Sequence, residues 1–317
     1  MKSIAVIGQG FVGGSLTTVF AERGFDVYTY DKTGKAAQGA KHWLTQDSYP
    51  GSVERLVTNC TSLGKSFSGV YFVCLPTPMF EDGEADLSIV EGVLDELSQA
   101  KGTDRIAVVK STVPPGSTER WNKKYEGTGL HVIFNPEFLT EANALDDMRN
   151  QNRVILGGPR PWINAVKLVF QSAFPKVPLI KTSSTNAELT KYVTNCFLAM
   201  KVSFANELYQ LCHALDAKGL NADYDRVIEC ATMDARLGTS HWRVPSFETD
   251  ENGKPLCGFS LSCFPKDLNA LIHKERELGI EPTMLEATWK KNLEVRPERD
   301  WEKMLGRAVS KQKPRKP

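Results

Sequence analysis

The chain has 317 residues, of which 41% are hydrophobic and 24% are charged. Its 39 lysines and arginines nearly balance 38 aspartates and glutamates, so the formal net charge is only +1. This balance argues against a protein that binds nucleic acid or another polyanion. The composition is that of a globular protein, which excludes global disorder and a small disulfide-stapled scaffold. A chain of this length predicts two domains.

The cysteines and the first apolar run predict a cytosolic protein without a membrane partner. Seven cysteines are scattered along the chain without a Cys-x-x-Cys pair, and the five histidines lie apart from them. This pattern is typical of a reducing compartment and predicts no metal site. The apolar run at residues 4–7 ends at Gly8, so it is too short for a secretory signal or a membrane span.

The first half of the chain alternates short β-branched runs with amphipathic stretches. This alternation predicts an α/β fold with a Rossmann-type, doubly wound parallel sheet over residues 1–182. The predicted strands are residues 4–7, 26–30, 70–74, 106–109 and 131–134, with two more at 153–156 and 179–180.

One long helix is predicted to follow the sheet. Residues 183–215 contain no proline or glycine and place apolar side chains at helical spacing, so a helix of about 30 residues should end before Gly219. Its length favours a role as a spine between domains and as a dimer surface. Further helices are predicted at 223–230, 266–278 and 283–292. Residues 183–310 are therefore predicted to form an all-α dimerisation domain, and 311–317 a frayed basic tail.

A glycine-rich turn follows the first predicted strand and opens a helix. The turn and the end of the second strand comprise Gly8, Gln9, Gly10, Phe11, Val12 and Gly13, then Asp31 and Lys32. The glycines permit a tight turn, approach of a pyrophosphate and close packing of the helix on the strand. Asp31 would bind the ribose hydroxyls and repel a 2′-phosphate, a preference that Lys32 weakens without reversing. We therefore predict NAD as the cofactor.

Cys263 lies just before the predicted helix at 266–278, beside Lys266 and Asp267. A cysteine next to a phenylalanine is commonly a small buried hydrophobe. A neighbouring lysine and a helix N-terminus would instead stabilise a thiolate. We favour a nucleophile, and a disulfide between Cys263 and Cys257 is the minor alternative in a reducing cytosol.

Two further pairs of polar residues are spaced four apart. Glu137 and Glu141 follow a predicted strand at the carboxyl edge of the sheet, where ligands bind, and would face one way if the segment is helical. Acidic residues also favour the first turn of a helix. Lys191 and Asn195 lie on the predicted long helix. Lys191 is either a snorkelling lysine or, with Asn195, directed into an interdomain cleft.

The sequence resembles the UDP-glucose 6-dehydrogenase and GDP-mannose 6-dehydrogenase family of nucleotide-sugar dehydrogenases along nearly the whole chain. Besides the glycine turn, the resemblance rests on residues 75–78, 86–88, 111–116, 135–139, 188–195, 233–236 and 262–267. It implies oxidation of a sugar C6 alcohol to a carboxylate in two steps with two NAD. Cys263 matches the nucleophile, which would form a thiohemiacetal and then a thioester.

The resemblance also implies roles for the other matched residues. Lys191 would stabilise the alkoxide and oxyanion, Asn195 and Asp267 would orient the alkoxide or water, and Glu137 with Thr112 would activate water. The remaining matched contacts with NAD are Leu75, Pro76, Thr77, Thr112, Glu141 and Lys266. The matched contacts with substrate are Glu137, Phe138, Leu139, Glu141, Lys191, Asn195, Arg236 and Cys263. Arg236 would reach the neighbouring subunit's substrate, which implies a homodimer with a shared active site.

The chain departs from the family pattern at three places. Ser260 and Leu261 stand where the family has two glycines, which puts substrate fit and activity in question. About ten additional residues, near 247–254, separate Arg236 from Cys263. The sequence ends soon after Asn292, where the family continues into a third domain that holds the nucleotide. We expect a short form whose substrate is smaller, is held partly by another chain, or binds weakly.

Three functions stay open on the sequence. The preferred one is a nucleotide-sugar dehydrogenase similar to UDP-glucose 6-dehydrogenase. The second is a single-step NAD-dependent dehydrogenase of a smaller hydroxy substrate, against which Cys263 argues because one hydride transfer needs no thiol. The third is a catalytically impaired NAD-binding protein, which Ser260 and Leu261 favour but the otherwise intact set around Cys263 opposes.

Overall fold

The structure is a computed structural model that describes residues 2–35, 37–40, 42–44, 67–100, 104–311 and 313. Within these ranges the chain divides into two units. The first contains the described residues up to Thr77 together with Leu87–Lys191, and the second contains Pro78–Asp86 and the described residues from Tyr192 onwards. Cys60 and most of the predicted tail at 311–317 lie outside the described residues.

The first unit is built on one eight-stranded sheet. Its strands are β1 (Lys2–Ile7), β2 (Phe25–Tyr30), β3 (His42–Leu44), β4 (Phe67–Val73), β5 (Arg105–Val109), β6 (Leu130–Phe134), β7 (Val154–Gly157) and β8 (Leu179–Thr182). Their spatial order is β3-β2-β1-β4-β5-β6-β7-β8. Neighbouring strands are parallel, except that β7 runs antiparallel to β6.

Among the described residues of the first unit, five helices alternate with these strands. They are α1 (Phe11–Glu22), α2 (Ser88–Gln99), α3 (Ser117–Lys124), α4 (Ala144–Arg149) and α5 (Trp162–Ala173). All five residues of β5 are buried, as expected for a strand covered by helices on both faces. The Phe20 ring of α1 packs against Phe25, Phe72 and Phe170, with centroids 5.1, 5.6 and 5.7 Å away. The doubly wound α/β fold predicted from the sequence is confirmed.

The sequence prediction differs from the sheet in two details. It missed β3, which lies at the edge of the sheet and has only three residues, too few to show a periodic pattern. It also treated the whole sheet as parallel, whereas β7 pairs with β6 in the antiparallel sense through Phe134 and Gly157. Neither difference affects the strands that end beside the glycine turn.

Helix α6 (Ser184–Asp216) has 33 residues, close to the predicted length. Its first turns belong to the first unit, because the Glu188 carboxylate accepts hydrogen bonds from the backbone N–H groups of Gly116 and Thr118 at 2.6 and 2.8 Å. Burial raises the pKa of the fully buried Glu188 carboxyl. The division between the units therefore falls at Lys191, later than the predicted boundary after residue 182.

The second unit is helical. Besides α6 it contains α7 (Tyr224–Ala231), α8 (Cys263–Glu277), α9 (Thr283–Val295) and 3₁₀ helices at Ala235–Leu237 and Asp300–Lys303. Among its described residues, β pairing is confined to isolated bridges. Helix α8 begins at Cys263, three residues before the predicted start, because Pro265 in its first turn needs no hydrogen-bond acceptor there.

The C-terminal segment packs on the chain segment Pro78–Asp86. The Met79 N–H donates to the Ala308 carbonyl at 2.9 Å, and the Ser310 N–H donates to the Met79 carbonyl at 2.8 Å. Lys313, from the predicted frayed tail, forms ion pairs with Asp82 and Glu84. No helix among the described residues is long and apolar enough to cross a membrane.

Candidate active site

The glycine turn has the geometry that a bound dinucleotide requires. Gly8 has a φ of +89°, and a Cβ at Gly13 would lie 1.9 Å from the Gly8 carbonyl oxygen, so both positions need glycine. Gly10 is the N-cap of α1 and provides no capping side chain. Beyond the adjoining backbone, no heavy atom lies within 4 Å of the point that a Cβ at Gly10 would occupy. This open space at a helix N-terminus fits a pyrophosphate.

Asp31 lies at the end of β2, beside the turn. Its carboxylate accepts hydrogen bonds from the Gln9 N–H at 2.8 Å and from the Thr33 N–H and hydroxyl at 2.7 and 2.5 Å. Partial burial acts to raise the pKa of Asp31, but these hydrogen bonds outweigh it, so the pKa lies below its usual value. Asp31 is therefore a fixed anion beside the turn, whereas Lys32 is exposed.

Two loops of the first unit are joined by hydrogen bonds. The Thr77 hydroxyl donates to the Thr112 carbonyl at 2.8 Å, and the Leu75 N–H donates to the Ser111 hydroxyl at 2.9 Å. Pro76 lies between the two tied residues, at the carboxyl end of β4. The structure thus brings the predicted cofactor contacts Leu75–Thr77 next to Thr112, at the edge of the sheet where ligands bind in this fold.

Glu137 and Lys191 form a buried ion pair in the first unit. The Lys191 ammonium donates to Glu137 Oε1 at 3.2 Å, and the two side chains are only 5% and 8% exposed. Glu137 Oε2 accepts the Leu139 N–H at 2.7 Å. The Lys191 ammonium also lies 5.6 Å from the centre of the Phe138 ring. Lys191 is therefore no snorkelling lysine, because its charged end stays buried beside a carboxylate.

The structure does not pair Glu137 with Glu141. The segment that follows β6 contains no helix until Ala144, so the condition under which the two carboxylates would share a face is not met. Glu137 is buried, whereas Glu141 is exposed. Only Glu137 belongs to the cluster around Lys191.

Sequence reasoning missed a second buried lysine close to this pair. Lys110 directly follows β5, is 5% exposed, and donates to Asn135 Oδ1 at 2.8 Å. Asn135 Nδ2 in turn donates to the Ile155 carbonyl at 2.8 Å. Burial lowers the pKa of Lys110, and the positive charge of Lys191 acts in the same direction. A lysine directly after an apolar run, residues 106–109, was the available clue.

Cys263 is the first residue of α8 in the second unit, and it is partly exposed. Its thiol therefore lies at a helix N-terminus, where the backbone amides favour a thiolate. None of the described cysteines is in a disulfide, so the alternative bridge from Cys257 to Cys263 does not form. By contrast, burial raises the pKa of Cys74 to about 12. Burial also raises the pKa of Cys196.

Asp267 lies one turn after Cys263 and is almost completely buried. Its Oδ2 accepts a hydrogen bond from the Asn195 amide at 2.6 Å, and its Oδ1 accepts one from the Lys266 ammonium at 2.5 Å. Both carboxylate oxygens are thus held in place, one by α6 and one by α8 itself. The structure brings together three of the predicted residues, Asn195, Lys266 and Asp267.

Helix α6 carries members of both clusters. Lys191 and Asn195 are separated by one helical turn, so they project from the same face of α6. Each is bonded to a carboxylate in its own unit, Lys191 to Glu137 and Asn195 to Asp267.

Arg236 is not part of either cluster. It lies in the 3₁₀ helix Ala235–Leu237, its side chain is 88% exposed, and it forms an ion pair with Asp234 at 2.5 Å. This exposure is what a residue directed at another subunit requires.

Three potential metal ligands come close together elsewhere in the second unit. One ligand atom from each of Asp82, Glu84 and His273 lies within 4.8 Å of the others. Lys313 bonds both carboxylates, so its ammonium already compensates their charge. The arrangement is an exposed ion-pair network.

Comparison with known proteins gives the family. The NAD binding domain of the UDP-glucose/GDP-mannose dehydrogenase family matches residues 2–172, and the central domain of the same family matches residues 185–294. The chain belongs to this family. The resemblance predicted from the sequence is confirmed, and so is NAD as the cofactor.

Relatives agree with this assignment. The chain is 31% identical to UDP-glucose 6-dehydrogenase AglM of Haloferax volcanii over 90% of this chain and 68% of that protein. It is 30% identical to UDP-glucose 6-dehydrogenase TuaD of Bacillus subtilis over 92% and 63%. The chain thus spans about two thirds of the length of the curated relatives it matches.

Solved structures show the same fold. A UDP-glucose dehydrogenase from Pyrobaculum islandicum matches with a TM-score of 0.70 and 31% identity, over 92% of this chain and 68% of that one. A 3-hydroxyisobutyrate dehydrogenase from Mycobacterium tuberculosis matches with a TM-score of 0.66 over 92% of both chains. At 18% identity the second match shows the fold alone.

The two glycines of the turn allow a matched test of cofactor binding. Gly10→Ala should leave the stability of the fold within about 1 kcal/mol, because the added Cβ meets open space. It should weaken NAD binding about tenfold, because that Cβ takes the room of the pyrophosphate. Gly13→Ala should instead destabilise the fold by about 1–3 kcal/mol or more. Calorimetric NAD titration and urea unfolding measure the two effects, and unaltered NAD affinity in Gly10→Ala would contradict the assignment.

The buried ion pair predicts a second result. Lys191→Met should lower the free energy of unfolding by about 3 kcal/mol, because it leaves the Glu137 carboxylate buried without its cation. Adding Glu137→Gln should recover most of the loss, since no charge then remains unpaired.

Lys124→Met is the matched control for this measurement. The ion pair of Lys124 with Asp95 is about half exposed, so its loss should cost less than about 1 kcal/mol. Urea unfolding of the unaltered protein and of these three variants makes the comparison. Equal losses in Lys191→Met and Lys124→Met would contradict a buried charge pair.

Proposed function

We propose that this protein is an NAD-dependent nucleotide-sugar 6-dehydrogenase that oxidises the C6 alcohol of a UDP-glucose-like substrate to a carboxylate. The observation that carries the proposal is Cys263 at the N-terminus of α8, one turn before an Asp267 held by Asn195 and Lys266. A single-step dehydrogenase needs no such thiol. The names of the relatives that match both domains support the same substrate class.

NAD would bind at the turn formed by Gly8, Gly10 and Gly13, and would accept one hydride from C6 in each of two successive oxidations. Lys191 would supply the positive charge that these oxidations need. The Lys191 ammonium would stabilise the alkoxide as the hydroxyl proton leaves, because a fixed cation in a buried site interacts strongly with a developing negative charge. Before substrate binds, the Glu137 carboxylate balances the positive charge of Lys191 at a distance of 3.2 Å.

The thiol of Cys263 divides the second oxidation into two steps. Its sulfur would add to the aldehyde carbon to form a thiohemiacetal, whose loss of a hydride and a proton leaves a thioester. Water would then add to the thioester carbon, and the sulfur would leave as the thiolate. The helix N-terminus at Cys263 favours that leaving group.

The remaining residues would orient the reacting atoms. Asn195 and Asp267 are fixed to each other at 2.6 Å, so either can hold the alkoxide or the attacking water in one position. Glu137, with Thr112, would accept the proton of that water. Glu137 keeps one oxygen on the Leu139 N–H, which fixes the carboxylate while the proton moves.

We also propose a homodimer built on α6. Val193, Phe197, Phe204 and Leu211 follow one another at intervals of four, seven and seven residues, so they form one apolar stripe, and each is more than half exposed. A helix of 33 residues is about 50 Å long, enough for two copies to bury the area of a stable dimer. Arg236 would then reach the substrate of the other copy. The reduced Cys263 that the chemistry needs agrees with a cytosolic location.

Counting NADH per substrate tests the chemistry. The unaltered protein with UDP-glucose should yield two NADH for each sugar consumed. Cys263→Ser should lower this ratio towards one, because serine at that position is not activated and an ester hydrolyses far more slowly than a thioester. The first oxidation should be affected less.

Cys230→Ser is the control for the stoichiometry, because Cys230 is an exposed thiol remote in sequence from the cluster. It should keep the ratio of two. One NADH per substrate in the unaltered protein, with Cys263→Ser equally active, would favour the single-step dehydrogenase. Measurable NAD binding without turnover would favour the impaired NAD-binding protein.

The dimer makes a separate prediction. Phe197→Glu should convert a dimer into a monomer at micromolar concentration, because it places a charge in the middle of the apolar stripe. Leu168→Glu is the matched control, since Leu168 is equally exposed but lies on α5. Sedimentation velocity measures both, and a monomeric unaltered protein would contradict the proposal.

A further inference from the structure

The loop that leads into Cys263 has an unusual backbone. Gly258 has a φ of +70°, and Leu261 has a φ of +58°, in the left-handed region that residues with a Cβ rarely adopt. Leu261 occupies one of the two positions where the family resemblance places glycine. The chain therefore keeps a glycine-like conformation with a leucine, and other contacts must hold it there.

Asn292 of α9 holds the middle of this loop. Its Oδ1 accepts the Phe259 N–H at 2.8 Å, and its Nδ2 donates to the Phe259 carbonyl at 3.0 Å. A Cβ at Gly258 would lie 2.6 Å from the same Oδ1, so the amide fits closely against the backbone. Asn292 itself is fully buried.

Arg296, one turn further on, holds the start of the loop. Its fully buried guanidinium donates to the Cys257 carbonyl at 3.1 Å, to Glu248 at 2.6 Å and to Asp300 at 2.7 Å. Glu248 lies in the additional segment between Arg236 and Cys263. Arg296 and Asp300 lie beyond the residues that the central-domain family model matches.

Ser260 connects the end of the loop to the same carboxylate. Its hydroxyl donates to Asp300 Oδ1 at 2.5 Å. Partial burial acts to raise the pKa of Asp300, but its bonds with Arg296 and Ser260 outweigh this, so the pKa lies below its usual value. The serine that replaces a family glycine thus has a specific partner, and that partner is an anion.

We propose that Asn292, Arg296 and Asp300 are positioning residues that hold the loop before Cys263 and thereby keep its thiol in the reactive position. Asp300 acts through its hydrogen bond with the Ser260 hydroxyl, next to Leu261. These four residues are called the loop clamp below. The inference rests on the proposed function in that it takes Cys263 as the nucleophile. A displacement of about 1 Å is enough to impair a reaction that depends on orientation, which is why a clamp on this backbone matters.

Thiol alkylation tests the clamp without substrate or cofactor. The full chain is treated with iodoacetamide at neutral pH, and mass spectrometry gives the rate at Cys263 relative to the exposed Cys230. Ser260→Ala and Asp300→Ala should each change this ratio by about threefold or more in the same direction, and Asp300→Ala at least as much as Ser260→Ala, because Asp300 also bonds Arg296. The double variant should change the ratio no further than Asp300→Ala does, because Asp300→Ala already removes the contact with Ser260.

Two further variants separate positioning from a general loss of stability. Asp300→Asn keeps an acceptor oxygen for Ser260, so the alkylation ratio should stay near that of the unaltered protein even if the melting temperature falls. Glu302→Ala removes only an exposed ion pair with Arg299 from the same segment, so it should leave the ratio unchanged.

Steady-state kinetics with UDP-glucose and NAD gives a second readout. Ser260→Ala should lower kcat about tenfold and leave KM for NAD unchanged, because the clamp acts on the thiol and not on the cofactor turn. Removing one hydroxyl is the mildest of the changes, so this variant carries the test if Asp300→Ala does not fold.

The outcomes distinguish the clamp from the function on which it rests. An unchanged alkylation ratio in Ser260→Ala and Asp300→Ala, or effects of the two that add independently, would overturn the clamp even in an active enzyme. The expected ratios in a chain that oxidises no sugar would support the clamp while overturning the proposed function.

Discussion

The buried carboxylate of Glu188 is the contact on which the arrangement of the first unit depends. By accepting the N–H groups of Gly116 and Thr118, it fixes the start of α6 against the loop that contains Thr112. Lys191 follows Glu188 within one turn of a continuous helix, so the anchored turn also carries the side chain whose ammonium pairs with Glu137. A site built on an anchored helix holds its charges more rigidly than one built on loops.

Every charge that the proposed chemistry uses is already compensated within its own unit. Lys191 has Glu137, and Asp267 has both Lys266 and Asn195. Charges in a buried site cannot remain without partners, because desolvation alone costs several kcal/mol per ion. In the proposed reaction the substrate would therefore exchange partners with these pairs, and Glu137 would become available as a base once Lys191 turned to the developing alkoxide.

The sequence predicted the elements that depend on local pattern, but not the contacts made between distant residues. Apolar runs predicted the buried strands, and the absence of proline and glycine predicted α6, since each pattern is local. Glu137 and Glu141 were considered as a helical pair, yet no helix forms there before Ala144. Sequence reasoning gave no role to Lys110 or Arg296, because no local spacing tells which remote groups a buried cation meets.

The loop before Cys263 shows how the structure changes the meaning of a substitution. From the sequence, Ser260 and Leu261 in place of glycines put activity in question. The left-handed conformation at Leu261 costs roughly 1–2 kcal/mol, while a hydrogen bond to a charged group such as that of Ser260 with Asp300 contributes about 1.5–3 kcal/mol. The two terms are of similar size. The chain can therefore keep the glycine-type backbone, and the leucine side chain that this backbone carries is exposed.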